Sequence, residues 1–456
     1  MPPDSRTPTS RGRLRSRRWP LLVWVLVLAL WIVVSGRSAA GPSLSFAAAH
    51  AYSTGAEPVS VAVADLDRNG KPDLLTANRD ANSVSVLLNA GTGFASKVDY
   101  AVGEAPASLA VADLNGDSSP DVAVANQSEA GISLLLNDGN GGFFRFGVPT
   151  IGVPDSVAIA DLNGDGWADF VNANSSVGES TVSVHFNRGL GSFPIEDNAP
   201  VGAAPSAVAL ADLNGDGAPE IVTSNADDNS VSVLLNHGKE AFGVKTDFAT
   251  GAGPAALAIG DLTGDGKPDL VTANASDDSI SLLPGTGDGA FGPKRDVPVG
   301  DVPAAVAIRD LNGDGKLDVA VANFGSDTVT ALLGRGDGGF LAKLSYRTGD
   351  SPGSLALGDL NVDGRLDLAV ADAGASAVST HLGSAAACDV QNVVRSQLAA
   401  AKRTLAAAGC VKGKLKRVYS KRVPKGAVIS QRPGFGAVPP RSRRVELVVS
   451  LGRKGH

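Results

Sequence analysis

The sequence predicts an all-β ring, a seven-bladed β-propeller of four-stranded antiparallel blades, and three observations carry that expectation. First, one acidic nine-residue loop recurs seven times, starting at Asp65, Asp113, Asp161, Asp212, Asp261, Asp310 and Asp359, with 48 to 51 residues between starts. Self-similarity at this period marks propeller blades or solenoid turns. Second, the runs on either side alternate with period two, as in S-V-A-V-A over 60–64, which is the pattern of strands. Third, turn residues keep fixed offsets: a proline stands seven residues ahead of every loop, at Pro58, Pro106, Pro154, Pro205, Pro254, Pro303 and Pro352.

Each element of the repeat follows in order. An Ala-rich first strand suits the crowded centre where blades converge. It runs into the acidic loop, and a second strand ends on Asn78, Asn126, Asn174, Asn225, Asn274, Asn323 or Asp372, which read as turn residues tolerant of a left-handed conformation. A third strand such as 83–88 leads to a glycine-rich turn and an aromatic, Phe94 in the first repeat, and a fourth strand reaches the next proline. The seventh repeat has no fourth strand before Cys388, whereas 46–58 precedes the first loop with no partners of its own. The N-terminal strand is therefore expected to complete the last blade, removing the open edges of an unclosed array.

The loops carry the chemistry. Positions one, three, five and nine bear side-chain oxygens in every copy, and the carbonyl of position seven adds another. A hard cation such as calcium takes about six to eight oxygens, so the candidate ligands group by loop. The first offers Asp65, Asp67, Asn69 and Asp73; the second Asp113, Asn115, Asp117 and Asp121; the third Asp161, Asn163, Asp165 and Asp169. The fourth offers Asp212, Asn214, Asp216 and Glu220; the fifth Asp261, Thr263, Asp265 and Asp269. The sixth offers Asp310, Asn312, Asp314 and Asp318; the seventh Asp359, Asn361, Asp363 and Asp367. Ser118 at position six, Glu220 at nine and Thr263 at three depart from the common pattern. Up to seven structural calcium ions are expected, ordering loops without doing chemistry.

Charge divides the chain into three parts. Residues 1–40 carry seven Arg and one Asp, residues 41–384 carry 17 basic and 44 acidic groups, and residues 385–456 carry 16 basic and two acidic. Separate modules with different partners are the expectation. In the first part, six arginines precede an uncharged apolar run over 19–34, followed by Ser38, Ala39 and Ala40. This is an export segment, with the cleaved signal peptide and the retained hydrophobic helix (residues 19–36 in the membrane) both open. The protein is expected at the cell surface, membrane-anchored or secreted.

The D-L-N-G-D-G-x-x-D loop, followed by V-S-V-L-L-N and G-x-G-x-F, resembles the FG-GAP-like (VCBS) repeat of the integrin alpha-chain type, over 41–384. That resemblance implies calcium between strands one and two, and a protein or glycan ligand on the opposite face. From Cys388 the pattern changes to a helix over 393–409 and strands over 412–420, 426–431 and 444–451. The runs L-x-x-A-K-x-x-L-x-x-A-G, V-P-K-G-A-V-I-S-Q-R-P-G and V-E-L-V-V-S-L-G resemble a PASTA domain over 385–456, a small α+β module of one helix on a three-stranded sheet. The resemblance implies cell-wall peptidoglycan as partner, and the basic excess suits this or another anionic envelope polymer. In an exported chain Cys388 and Cys410 are expected to form a disulfide.

Catalytic signals are weak. The G-x-S-x-G match at 349–353 occupies a blade linker, Arg335-Gly336-Asp337 occupies a turn, and the five histidines are scattered without zinc spacing. No nucleophile–base pair is nominated and no nucleic-acid partner is expected. The sequence reads as a non-enzymatic, envelope-associated binding or adhesion-type protein. The alternatives are a polysaccharide-active enzyme on the same scaffold and a purely structural surface protein.

Overall fold

The computed structural model describes residues 44–385, apart from 130, 176–179, 190 and 239, and residues 393–407, 411–432 and 444–453. The apolar segment over 19–36 and both cysteines, Cys388 and Cys410, lie outside the described residues. Among the described residues no helix is long and apolar enough to cross a membrane.

Blade one shows how the repeat folds. Pro58–Ala64, Asp73–Asn78, Ser83–Leu87 and Val98–Ala101 pair in sequence order as one antiparallel sheet. Proline has no amide hydrogen, so it is tolerated where it opens a strand. Register shifts between Pro58 and Ser60, and the same irregularity recurs at the start of the first strand in the other six blades. The second and third strands are buried throughout, the first is half-buried and the fourth is mostly exposed. That gradient follows from the packing, because the middle strands are covered by the neighbouring blades. Leu75, Val84 and Val86 of blade one, for example, share a core with Leu109, Val122 and Leu135 of blade two. Burying each such side chain contributes about 1.5–3 kcal/mol.

The ring closes as the sequence predicts. His50–Ser53 is the fourth strand of blade seven, paired to Ala377–His381 in the order that continues through Asp367–Asp372 to Pro352–Gly358. A second clasp lies beside it, where Leu44–Phe46 pairs with Gly383–Ala385. At the rim, aromatic edges bridge successive blades, with ring centroids 5.1 Å apart for Tyr52–Phe94 and 5.3 Å for Tyr100–Phe143.

In the C-terminal module, Leu398–Ala407 is helical, and Val411–Val418 pairs in parallel with Arg444–Ser450, which pairs antiparallel with Val428–Arg432. The helix starts five residues later than the sequence suggested. Val393 is buried in the small core with Leu405, Val428 and Leu447, and Arg395 donates its amide to Val428 O at 2.7 Å with φ of 71°. Residues 393–397 are thus spent as a turn against the sheet.

One expectation is overturned. Asn78 and its counterparts are not left-handed turn residues; they end buried strands, and none has a positive φ. The positive φ belongs instead to Asn82, Asn229, Asp278 and Asp327, several residues further along.

Candidate metal loops and blade junctions

Loop three carries the common sequence without departure. Leu162 is buried and anchors it, while Gly164 and Gly166 adopt φ of 77° and 88°, which glycine does without steric cost. Those turns aim amides at the first carboxylate: Asp161 accepts from Gly164 N at 2.8 Å and Gly166 N at 2.9 Å. Asn163 Oδ1 accepts from Asp165 N at 3.0 Å, and Asp165 Oδ1 from Trp167 N at 2.9 Å. Asp169 is fully buried and spans two segments, accepting from Leu162 N at 2.8 Å and Asn187 N at 2.7 Å.

The ninth position is electrostatically uncomfortable. Burial pushes the Asp169 carboxyl up to about 6, against the two amides that lower it, and Asp165 and Asp161 push it further the same way. Asp121, Asp318 and Asp367 are raised to about 6 by the same burial, and Asp73 and Glu220 are raised too. In loop one the carboxylate oxygens of Asp65, Asp67 and Asp73 lie within 4.8 Å of one another. The three departures are absorbed. Glu220 still reaches Leu213 N at 2.6 Å, Thr263 Oγ1 lies 3.1 Å from Asp265 Oδ1, and Ser118 takes the left-handed φ of 67°.

Two sets of residues escaped the sequence reading. Asn89, Asn137, Asn187 and Asn236, at the ends of third strands, cross the junction between blades. The Nδ2 of Asn137 donates to Leu66 O in the preceding blade at 2.9 Å and to Pro120 O in its own loop at 3.0 Å. Asn89 reaches Leu360 O at 2.7 Å, so this junction spans the closure of the ring. The signal was present in the last letter of V-S-V-L-L-N, but it occurs in only part of the repeats. The second set lies at the other end of the strands. Asn78 Nδ2 donates to Ser83 Oγ at 3.1 Å and Ser85 Oγ at 2.9 Å, while Ser85 Oγ accepts from Gly55 N at 2.9 Å. A Cβ on Gly55 would sit 2.7 Å from Asn78 Nδ2, so this linker glycine is required by space.

The sequence patterns suggestive of catalysis fall where they were expected. Ser351 lies in a linker with φ of 56°, and Arg335 pairs with Asp337 inside its turn at 3.3 Å. His185 is buried, stacked on Phe170 with centroids 4.3 Å apart and its Nε2 3.0 Å from Asn172 Oδ1.

Seven four-stranded blades, closed by the N-terminal strand and bearing acidic loops between first and second strands, define a repeat-built β-propeller. The chain belongs to the FG-GAP-like repeat family, whose model matches residues 66–124, 113–172, 161–223, 222–272, 261–321 and 310–370. A PASTA domain matches residues 389–451. Among solved structures, BBS1N in complex with ARL6DN superposes with a TM-score of 0.55 at 15% identity, covering 75% of this chain and 98% of that one. A streptogramin B lyase gives 0.53 at 16% identity, covering 74% and 98%. Virginiamycin B lyase from Staphylococcus aureus gives 0.52 at 13%, covering 74% and 99%. At these identities the likeness is one of fold alone. No curated protein matches.

Proposed function

We propose that this is a non-catalytic, exported envelope protein whose propeller is stiffened by divalent cations and whose basic C-terminal module attaches it to an anionic wall polymer. The observation that carries the reading is the pairing of the two modules with opposite charge. Residues 41–384 hold 44 acidic and 17 basic groups, and residues 385–456, which include the PASTA match, hold 16 basic and two acidic. Peptidoglycan is the partner class that the PASTA match suggests, and positive charge favours any polyanion in the same layer.

The loop residues fit a hard cation in their donor chemistry. Every candidate ligand is an oxygen, three per loop are carboxylates, and the fully buried ninth side chain is a carboxylate raised toward neutrality by burial in the loops noted above. In loop three Asp161, Asn163, Asp165, Asp169 and the Trp167 carbonyl would hold calcium, which would supply the missing counter-charge. The amides that already hold these side chains pre-set the loop, so the protein's own contribution is orientation.

Binding of the whole chain to isolated cell-wall sacculi, compared with a chain ending at 384, tests the attachment. The full chain should be retained and the shortened one released, with retention weakening as salt rises past about 0.15 M, where the screening length falls to about 8 Å. Equal retention of both would remove the anchoring role.

A further inference from the structure

Resting on the cation reading of the loops, we infer that two of the seven, loops two and seven, are braced by arginine in place of a metal ion. Among the described residues, only two ion pairs reach a candidate loop ligand, and both are made by guanidinium groups to the position-five aspartate. Arg68 leaves loop one and crosses to loop two. Its Nη2 donates to Asp117 O at 2.9 Å, bonds Ser119 Oγ, and lies 3.6 Å from Asp117 Oδ1. Arg365 lies within loop seven, its Nη1 2.8 Å from Asp363 Oδ2.

Position four is left-handed in every loop. Position four is glycine in loops two to six but Arg68 in loop one and Val362 in loop seven, and both hold a φ of 56°. A left-handed arginine is disfavoured by its Cβ, so the conformation persists at Arg68 against a local cost. Its guanidinium bonds the neighbouring loop two, while Asp65, Asp67 and Asp73 converge within 4.8 Å of one another. Among the described residues loop one alone holds three converged carboxylates, and loop two receives a fixed positive charge.

A guanidinium and a divalent cation compete for the same carboxylate. Arginine offers planar donors to oxygens already placed, and calcium would need the same Asp117 and Asp363 oxygens. Loops one, three, four, five and six have no such partner among the described residues and form the cation-binding class.

The test is the number of calcium ions per full-length chain, measured by elemental mass spectrometry after equilibrium dialysis. The parent should hold fewer than seven. Arg68→Ala and Arg365→Ala should each bind one ion more than the parent, and the double variant two more. Arg68→Lys, which keeps a charge, should stay at the parent count. Arg79→Ala, which breaks the Glu57 pair at 3.3 Å outside the loops, is the control and should also leave the count unchanged. A parent holding seven ions, or unchanged counts in both arginine variants, overturns this inference while leaving the cation reading intact. A parent that holds none overturns the cation reading itself.

Discussion

Replacing Asn137 by alanine tests whether the blades are joined by side-chain hydrogen bonds as well as by apolar packing. The side chain is 3% exposed and makes three bonds, from Nδ2 to Leu66 O at 2.9 Å and Pro120 O at 3.0 Å, and from Gly139 N to Oδ1 at 2.9 Å. Each is worth about 1 kcal/mol net, and removing one partner leaves buried groups unmet, so the loss should approach ~3 kcal/mol. Water entering the vacated space would restore part of this and bring it nearer ~2 kcal/mol. Either value is a large share of the ~5–15 kcal/mol that separates folded from unfolded domains. Asn140→Ala is the natural comparison, since among the described residues that exposed side chain bonds only Asp138 O, at 3.4 Å. Thermal and urea unfolding of both variants should show a clear loss for Asn137→Ala and almost none for Asn140→Ala. Equal midpoints, or a loss under about 0.5 kcal/mol for Asn137→Ala, would refute the junction argument.

Other outcomes follow from the same structure. Chelation should lower the thermal midpoint, because each cation-binding loop then holds three carboxylates without counter-charge; a midpoint unmoved between calcium and chelator would dismiss the cation assignment. Gly103→Ala places a Cβ 2.6 Å from Asn126 Cγ and 2.3 Å from Glu129 Oε2, so it should unfold early, whereas Gly147→Ala meets nothing within 4 Å and should unfold like the parent. Burial holds His185 down at about 4, below its ordinary value, so its contribution is complete above pH ~6.5 and is lost as pH falls from there toward 4, about 3 kcal/mol in all. His185→Leu should therefore flatten the fall in midpoint between pH 7 and 5, and parallel curves for parent and variant would contradict the assignment.

The architecture was legible because its signals repeat. Period-two alternation, the proline seven residues ahead and the loop spacing each recur seven times, so a chance match in one blade cannot mislead. Ring closure was readable from a strand missing at one end and surplus at the other. The second clasp, Leu44–Phe46 on Gly383–Ala385, was not, because three residues carry no periodicity. Asn78 and its counterparts were misread for a physical reason. Asparagine is common in turns and rare in buried strands, and what makes it tolerable at 0% exposure is the serines two strands' pairing brings to it. Those partners are five and seven residues away in sequence, a distance that says nothing until the hairpin is known. The late start of the C-terminal helix has a similar origin, since Val393 is drawn to the sheet by a tertiary contact that outweighs helical periodicity.

The blade junctions also show why similar repeats are not interchangeable. Blades one to four place asparagine after the third strand and reach the neighbouring leucine carbonyl with its side chain. Blades five to seven place Gly285, Gly334 and Gly383 there, each donating its amide to the ninth aspartate as Asn89 does. A Cβ on those glycines would fall 2.0, 1.9 and 2.2 Å from the carbonyls of Pro268, Leu317 and Leu366, the eighth loop positions. No side chain fits, so an asparagine cannot simply be restored. Blade six meets the need by another route, Gly338 N donating to Leu262 O at 3.0 Å. The same carbonyl, two residues into the preceding loop, is thus satisfied by a side chain on one side of the ring and by main chain on the other. In blades one to four and in blade six the second carbonyl of the preceding loop thus takes a hydrogen bond from the next blade, and the donor varies where the backbone comes close enough to supply it.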